Sequence, residues 1–528
     1  MCVRSALLLF LVISFASPSW AAKKFVYCSE GSPVIFNPQL ATDGATNNAI
    51  HPIYNGLVGF IQGTTGLRPS LASDWTISDD EKQYTFMLRK DVAFHKTKDF
   101  KPTRNFNADD VLFSFNRQRL SDHPYHNVGG KRYEYFTAMG LSEIISDIQK
   151  VDDYTVKFIL AKPDATFLAN LAMPFASILS SEYADHLTKI GQQSLIDTNP
   201  VGTGPFVFQK YVPDTYIEYS AFDHYFRGKA KIQQLIFSIH SDALVRAQKL
   251  FSGECHLIAE PPPSELKRFE RDPNIKVMKI ESMNVGYLAF NVEKKPFDNV
   301  KVRQAIYHAL NRQAYVDVLY KGLGVVAKNP LPPVVMGYHK DNFDYEYNPV
   351  KAKELLEQAG FKDGFTTELW ALPVSRPYNP DGKKMAEMMQ DDLAKVGIKA
   401  KIVTYDWQTY LAKTKSGEHT MCQAGWNADN GDPDNFMYTL LSCDAIESGA
   451  NRARWCNKEF NQLVWDAKVM TDAEVRKQKY IKAQEIFKDQ APWVPIAHSQ
   501  SFRAMQKNVI GFVMSPINRD SFYTVDLK

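Results

Sequence analysis

The stretch GWNADNGDPDNF, Gly425–Phe436, sets Asp429, Asp432 and Asp434 within six positions, with Asn430 and Asn435 among them and Trp426 and Phe436 at the flanks. Carboxylates gathered beside aromatic rings suit three chemistries: a metal loop, a catalytic carboxylate cluster, or an anion held ready for a cationic ligand. Asp429, Asn430, Asp432 and Asp434 are oxygen donors of the kind calcium takes, but an EF-hand orders its donors before a glycine and ends on a glutamate. Here Gly431 comes too early, and Met437 stands where the glutamate belongs. A plainer reading is a solvated turn whose aspartates accept from backbone N–H groups; Asp432 and Asp434, on either side of Pro433, suit it well. Asp429 lies nearest Trp426 and is the candidate for a carboxylate that faces a pocket.

A second loop, LPVSRPYNP (Leu372–Pro380), restrains Arg376 between prolines and Tyr378. A guanidinium is the side chain best shaped to grip a carboxylate in a bidentate fork. The alternative is an exposed arginine on a proline turn. An arginine here and an aspartate in the acidic stretch would complement a zwitterion.

Signatures of catalysis are missing. The sequence has no H-E-x-x-H, no G-x-S-x-G and no G-x-x-x-x-G-K-[ST]. GTGPF (Gly202–Phe206) lacks a third glycine and a following helix, and reads as a tight turn. HPYH (His123–His126), with proline between its histidines, reads as a surface loop. A peptidase needs a nucleophile or a metal, and neither pattern is present, so no enzyme, metal or cofactor is expected.

The elements that must position these loops alternate. Strands are predicted at KFVYCS, within Tyr84–His95 (two of them), at Tyr154–Lys162 and KIQQLIFSI, and twice in Ile275–Phe297 around a polar break. Helices are predicted from Asn107, a good N-cap, and at SDALVRAQKLFSGE, ended by Gly253. VKVRQAIYHALN has Val302, Ala305, Ile306, Ala309 and Leu310 at helical spacing. PVKAKELLEQAG and PDGKKMAEMMQDDLAKVG are helices ended by glycine, and the strand IKAKIVTYDW follows the second. Thr471 and Glu474 form a T-x-x-E capping box before a long helix. Alternating strands and helices argue for α/β lobes with partly parallel sheets. No linker of low complexity separates them, so short crossing strands must join any lobes.

A chain of 528 residues is expected to fold as two or three units. Its formal net charge of +3 gives no support to a nucleic-acid partner. Arg4, the apolar run Ala6–Phe15 and SWA (Ser19–Ala21) read as an export signal cleaved after Ala21, too short to span about 30 Å of hydrocarbon. Five cysteines remain beyond it, with no C-x-x-C pair. Cys443 and Cys456, thirteen positions apart, are the best-spaced pair. A bridge closing that loop is worth about 3 kcal/mol in the chain-entropy model. Cys422 is expected to stay a buried free thiol.

LASDWTISDDEKQYTFMLRKDVAFH followed by FNADDVLFSFNR, then NPVGTGPF, VGYLAFNVEKKPFDNVKVRQAIYHALNR, NPLPP and LLEQAGF, resembles the family 5 (peptide, nickel and haem) solute-binding proteins of ATP-driven importers, over essentially the whole mature chain. YCSEGSPVIFNPQL, RPYNP and DNGDPDNF are most similar to its periplasmic dipeptide-binding branch. Glu81 departs from the family, which usually has glycine there; a changed hairpin is expected. The resemblance implies an α/β fold of the two-lobed periplasmic-binding-protein type II class, in its large three-subdomain form. Residues 1–21 would be the signal peptide. Lobe I would comprise 22–56, an extra subdomain at 57–198, a central segment at 199–283 and C-terminal strands at 499–528; lobe II would be 284–498. It further implies that Asp429 holds a peptide ammonium and Arg376 its carboxylate. Trp426, Trp407 and Tyr378 would wall the pocket, and the backbone at Thr42 and Gly44 would meet the ligand from lobe I. Cys28–Cys255 and Cys443–Cys456 would be bridged. The implied partners are a dipeptide and an inner-membrane permease with its ATPase subunits, the location is the periplasm, and a monomer is expected. Haem or longer peptides are the alternative cargo, although no C-x-x-C-H motif favours haem.

Overall fold

The computed structural model describes residues 23–130 and 132–528; the export signal expected at 1–21 lies outside them. The strand Asn284–Phe290 is buried at every position, as a central strand covered on both faces must be, whereas Ile275–Glu281 before it keeps exposed positions. Only Ser282 and Met283 separate the two. Each pairs antiparallel with a different half of one long strand, Trp493–Gln506. That strand therefore belongs to two sheets. Its first half joins Asn284–Phe290 in a sheet continued by Met421–Asn427, Phe365–Trp370 and Ile398–Val403. Its second half lies beside Leu257–Ile258, in a sheet continued by Lys24–Ser29, Gln234–Ile239, Tyr216–Ala221 and Phe206–Val212. At the crossing, Asn284 Nδ2 donates to Ser499 Oγ at 3.0 Å and the Ser499 N–H returns a bond to Asn284 Oδ1 at 2.9 Å, both residues buried.

Each sheet has its own core. One runs from Phe25, Tyr27 and Phe237 without a break into Phe86 and Phe158 of a four-stranded antiparallel sheet, Ala72–Ile77, Gln83–Leu88, Thr155–Leu160 and Ile145–Asp152, and Phe115 of the helix Ala108–Arg119 packed on it. The other sheet is packed on both faces. Leu288, Ile306 and Met389 fill one side, while Tyr287, stacked 3.7 Å from Trp493, and Phe436 fill the other. Cys28 is bridged to Cys255 and Cys443 to Cys456, and Cys422 is a buried thiol.

Three local expectations need correction or refinement. Only the first of two strands in Tyr84–His95 forms, as Gln83–Leu88. Val92 and His95 are anchored singly, by Phe106 N–H to Val92 O and His95 N–H to Gly202 O, because no strand runs alongside. The long helix Ala473–Gln490 is capped by Asp472 rather than Thr471; its carboxylate accepts from both Glu474 and Val475 N–H, which a Thr471 hydroxyl one residue earlier does not do. Glu81 closes its hairpin at φ 56°, the left-handed conformation that glycine reaches without strain.

Candidate functional site

The Arg376 loop is seated by an absence of atoms. Gly286 and Gly425 face one another across neighbouring strands. A Cβ on Gly286 would lie 2.1 Å from Tyr378 O, and one on Gly425 2.1 Å from the Tyr378 ring. Only glycine at both lets the loop lie flat on the sheet. Tyr378 O then accepts from Tyr320 OH at 2.6 Å, Pro377 O from Ser499 Oγ at 2.8 Å, and Arg376 and Asn379 exchange two backbone bonds at 3.0 Å. Arg376 is buried, with its guanidinium 5.1 Å over the Trp407 ring. Trp407 opens the helix Trp407–Lys415, capped by Asp406.

Around Arg376 the field is acidic. Glu30 Oε1 lies 3.7 Å from Nη1, which donates to Ser375 O at 3.4 Å. Burial works against its charge, but Tyr378, Glu30, Glu260 and Asp43 hold its pKa above the ordinary value. Glu260, on the same cavity wall, has a φ of 38° and a carboxyl pushed up by burial despite Arg503 at 3.7 Å.

Asp429 sits just past the end of Met421–Asn427, where Asn435 organises the turn. Asn435 Oδ1 accepts from Asp429 N–H at 2.8 Å and from Trp426 Nε1 at 2.9 Å. Asp429 Oδ1 accepts from Tyr135 OH at 3.2 Å; Oδ2 is buried with no partner among the described residues. Burial pushes this carboxyl up to about 6, against the opposing pull of Arg519 and the hydrogen bonds of Tyr135 and Asn435. The other two aspartates of the stretch are not simple caps. Asp432 accepts twice from Arg476 Nη2, at 2.7 and 2.9 Å, and Asp434 pairs with Lys468 at 3.0 Å.

Asp429, Arg376, Trp426, Trp407, Tyr378, Thr42 and Gly44 all line one cavity of about 190 Å³. Thr42 and Gly44 flank Asp43, the N-cap of helix Gly44–Ile50, and nothing lies within 4 Å of where a Gly44 Cβ would stand. Lys415 and Glu134, both on the cavity wall, form an ion pair, and next to Asp429 in the chain Asn430 Nδ2 donates to Asn170 Oδ1 at 3.0 Å. Trp407 Nε1 is a further buried donor without a partner. Sequence reasoning missed Tyr135, Arg519, Glu30, Glu260 and Asn435. Of these only Asn435, inside the acidic stretch, had a local signal.

The description "Bacterial extracellular solute-binding proteins, family 5 Middle" matches residues 66–448. The chain belongs to this family. Among its relatives, the dipeptide-binding protein of Escherichia coli K12 is 51% identical over 519 residues, 98% of this chain and 97% of that one. Heme-binding protein A of Haemophilus influenzae Rd is 47% identical, over 95% of this chain and 92% of that one. The crystal structure of a dipeptide-binding protein from Pseudoalteromonas sp. SM9913 with Met-Leu superposes with a TM-score of 0.93 at 40% identity, covering 96% of this chain and all of that one. The fold is that of the two-lobed periplasmic binding proteins. Among the described residues no helix is long and apolar enough to cross a membrane, and no group of three or more His, Cys, Asp or Glu is placed to hold a metal.

Proposed function

We propose that the chain is the periplasmic substrate-binding component of an ATP-driven importer, capturing dipeptides between its lobes and passing them to an inner-membrane permease with ATPase subunits. The observation that carries this reading is Asp429: a carboxylate whose Oδ2 is buried and unpartnered, in a cavity whose other charged anchor is the buried Arg376. An extended dipeptide spans only about 7 Å at 3.3–3.6 Å per residue. Its ammonium meets Asp429 and its carboxylate meets the Arg376 guanidinium, whose planar fork suits it. Trp426 and Trp407 exclude water, which lowers the effective dielectric and strengthens both pairs. Side chains of the ligand are not read by these anchors. Lobe I takes 22–56, 57–198, 199–283 and 499–528, and lobe II takes 284–498.

Binding measured by calorimetry on free, N-acetylated and C-amidated dipeptides tests the reading, with chromatography for released amino acids testing catalysis. Free dipeptides should bind best and stay intact. Equal affinity for free and acetylated forms would return the acidic stretch to a capped turn. Haem is the second reading, favoured by the Haemophilus relative. Among the described residues no histidine, cysteine or methionine lines the cavity, and the axial ligands haem proteins use are represented there by tyrosines. A haem titration that gives no saturable Soret shift removes it.

A further inference from the structure

Behind the peptide cleft, a second cavity of about 180 Å³ lies in lobe I, between the segment around His51–Arg68 and the C-terminal residues Val513–Thr524. Its wall carries His51, Arg68, Arg227 and Arg519, and no aspartate or glutamate. Arg503, Arg476 and Arg117 have carboxylate partners in Asp520, Asp432 and Asp197, while the buried Arg246 and Arg303 are held by carbonyls alone. The half-buried Arg68, Arg227 and Arg519 have no carboxylate partner among the described residues. Arg68 Nε is buried without a partner. Arg227 donates to Pro69 O at 2.7 Å, and Arg519 donates to Ala172 O at 3.2 Å with its guanidinium 5.3 Å over Phe60. Carbonyls and a ring satisfy donors but leave the charge standing. The surplus is felt within the cluster: burial, then Arg519 and Arg68, push His51 down to about 3, and burial together with Arg68 and Arg89 lowers Arg227. Three guanidinium groups around one cavity, with no carboxylate among the described residues of its wall, form a well for an oxyanion, whose geometry their forks match.

We propose that this cavity binds a phosphoryl oxyanion through Arg68, Arg227 and Arg519, and that its occupancy is linked to the peptide cleft by Arg519, which lines both cavities. Arg519 also donates to Asp429 O at 3.4 Å. An anion on Arg519 cancels part of the positive potential that reaches Asp429, so a ligand ammonium meets a more negative site. The peptide then raises affinity for the anion by the same factor. The linkage rests on Asp429 as the ammonium site; the anion site does not.

Mature protein stripped of ligand is titrated with inorganic phosphate and with phenyl phosphate at pH 8 and constant ionic strength, by calorimetry and phosphorus NMR. One saturable site is expected, weakened at least tenfold in R68Q and in R227Q, while the dipeptide affinity of both variants without phosphate is unchanged. Tighter binding of phenyl phosphate marks an organic phosphate as the occupant, and equal binding marks the free ion; both support the site. No saturable binding, or equal binding to wild type and both variants, overturns it. Saturating phosphate should tighten dipeptide binding about fivefold, the low end of coupling between sites. An unchanged dipeptide affinity overturns the linkage and leaves the phosphate titration to decide the site alone.

Discussion

The two ends of the cavity that Asp429 and Arg376 line carry opposite charges and are built on opposite plans. At one end Asp429 has a hydroxyl and backbone geometry around it but no cation bonded to its carboxylate, and burial pushes it up to about 6. At the other, Arg376 lies among Glu30, Glu260 and Asp43, compensated before any ligand arrives. A ligand ammonium would fill a deficit, while a ligand carboxylate would compete for a cation already in use. The acidic stretch repeats the lesson. Asp432 and Asp434 have Arg476 and Lys468, and Asp429 alone is left for something else.

The largest expected effect is therefore at the deficient end. Acetylating the dipeptide amine should cost about 3–5 kcal/mol, the scale of a buried charge that loses its partner. Asp429→Asn should cost a similar amount with free dipeptides and almost nothing with acetylated ones. Calorimetry on this two-by-two set gives the coupling directly. If the double change costs the sum of the single ones, Asp429 and the amine do not meet.

At the compensated end the loss should be smaller, about 2–3 kcal/mol for Arg376→Ala with free dipeptides. The same loop can be disturbed without removing its charge. Gly425→Ala drives a Cβ into the Tyr378 ring. Overpacking of this kind costs about 1–3 kcal/mol of stability. A drop in melting temperature together with weaker binding is expected; unchanged binding would mean that Tyr378 does not position Arg376.

Acidity should separate the ends next. An ammonium needs the ionised form of Asp429, whose surroundings are Tyr135, Arg519 and Asn435. With a carboxyl raised to about 6, affinity is full above that value and falls as pH drops through it. Between pH 7 and pH 5 the dissociation constant should rise about tenfold, about 1.4 kcal/mol. The ligand-free protein responds with the opposite sign. Its folded state binds this proton more tightly than the unfolded chain does, so the contribution of Asp429 to stability declines as pH rises from about 4 to about 6. Affinity that stays flat from pH 7 to pH 5 would break the contrast.

What was legible beforehand follows the range of the forces involved. Asn107 and Gly253 mark helix ends because capping and left-handed turns are settled within a few residues. Asp429 and Arg376 were found because each sits in an unusual local stretch, one acidic and aromatic, the other proline-bound. Their opposite charges already suggested a pair for a zwitterion; the assignment of ammonium to one and carboxylate to the other came from family likeness. Tyr135 is 294 positions from Asp429, and Glu30, near the start of the chain, is as remote in sequence from Arg376, so no spacing could announce them. Val92–His95 has strand-forming residues yet no neighbour to pair with, and a strand is a property of two segments.

The smallest effect sharpens the comparison most, because its sign is what matters. If Glu30 competes with the ligand carboxylate, Glu30→Gln should tighten binding of free dipeptides. The gain must be modest. A guanidinium has five donors, so Glu30 and a carboxylate can share it, and Glu30 at 3.7 Å is beyond hydrogen-bond distance already. About 0.5–1 kcal/mol, a few-fold in affinity, is the scale of such a pair. The gain should vanish with C-amidated dipeptides, which bring no negative charge for Glu30 to oppose. Calorimetry of E30Q with both ligands reads the difference. Should E30Q bind free dipeptides more weakly, Glu30 holds Arg376 in place instead of competing for it, and the two ends are alike in needing a protein partner to set their anchor.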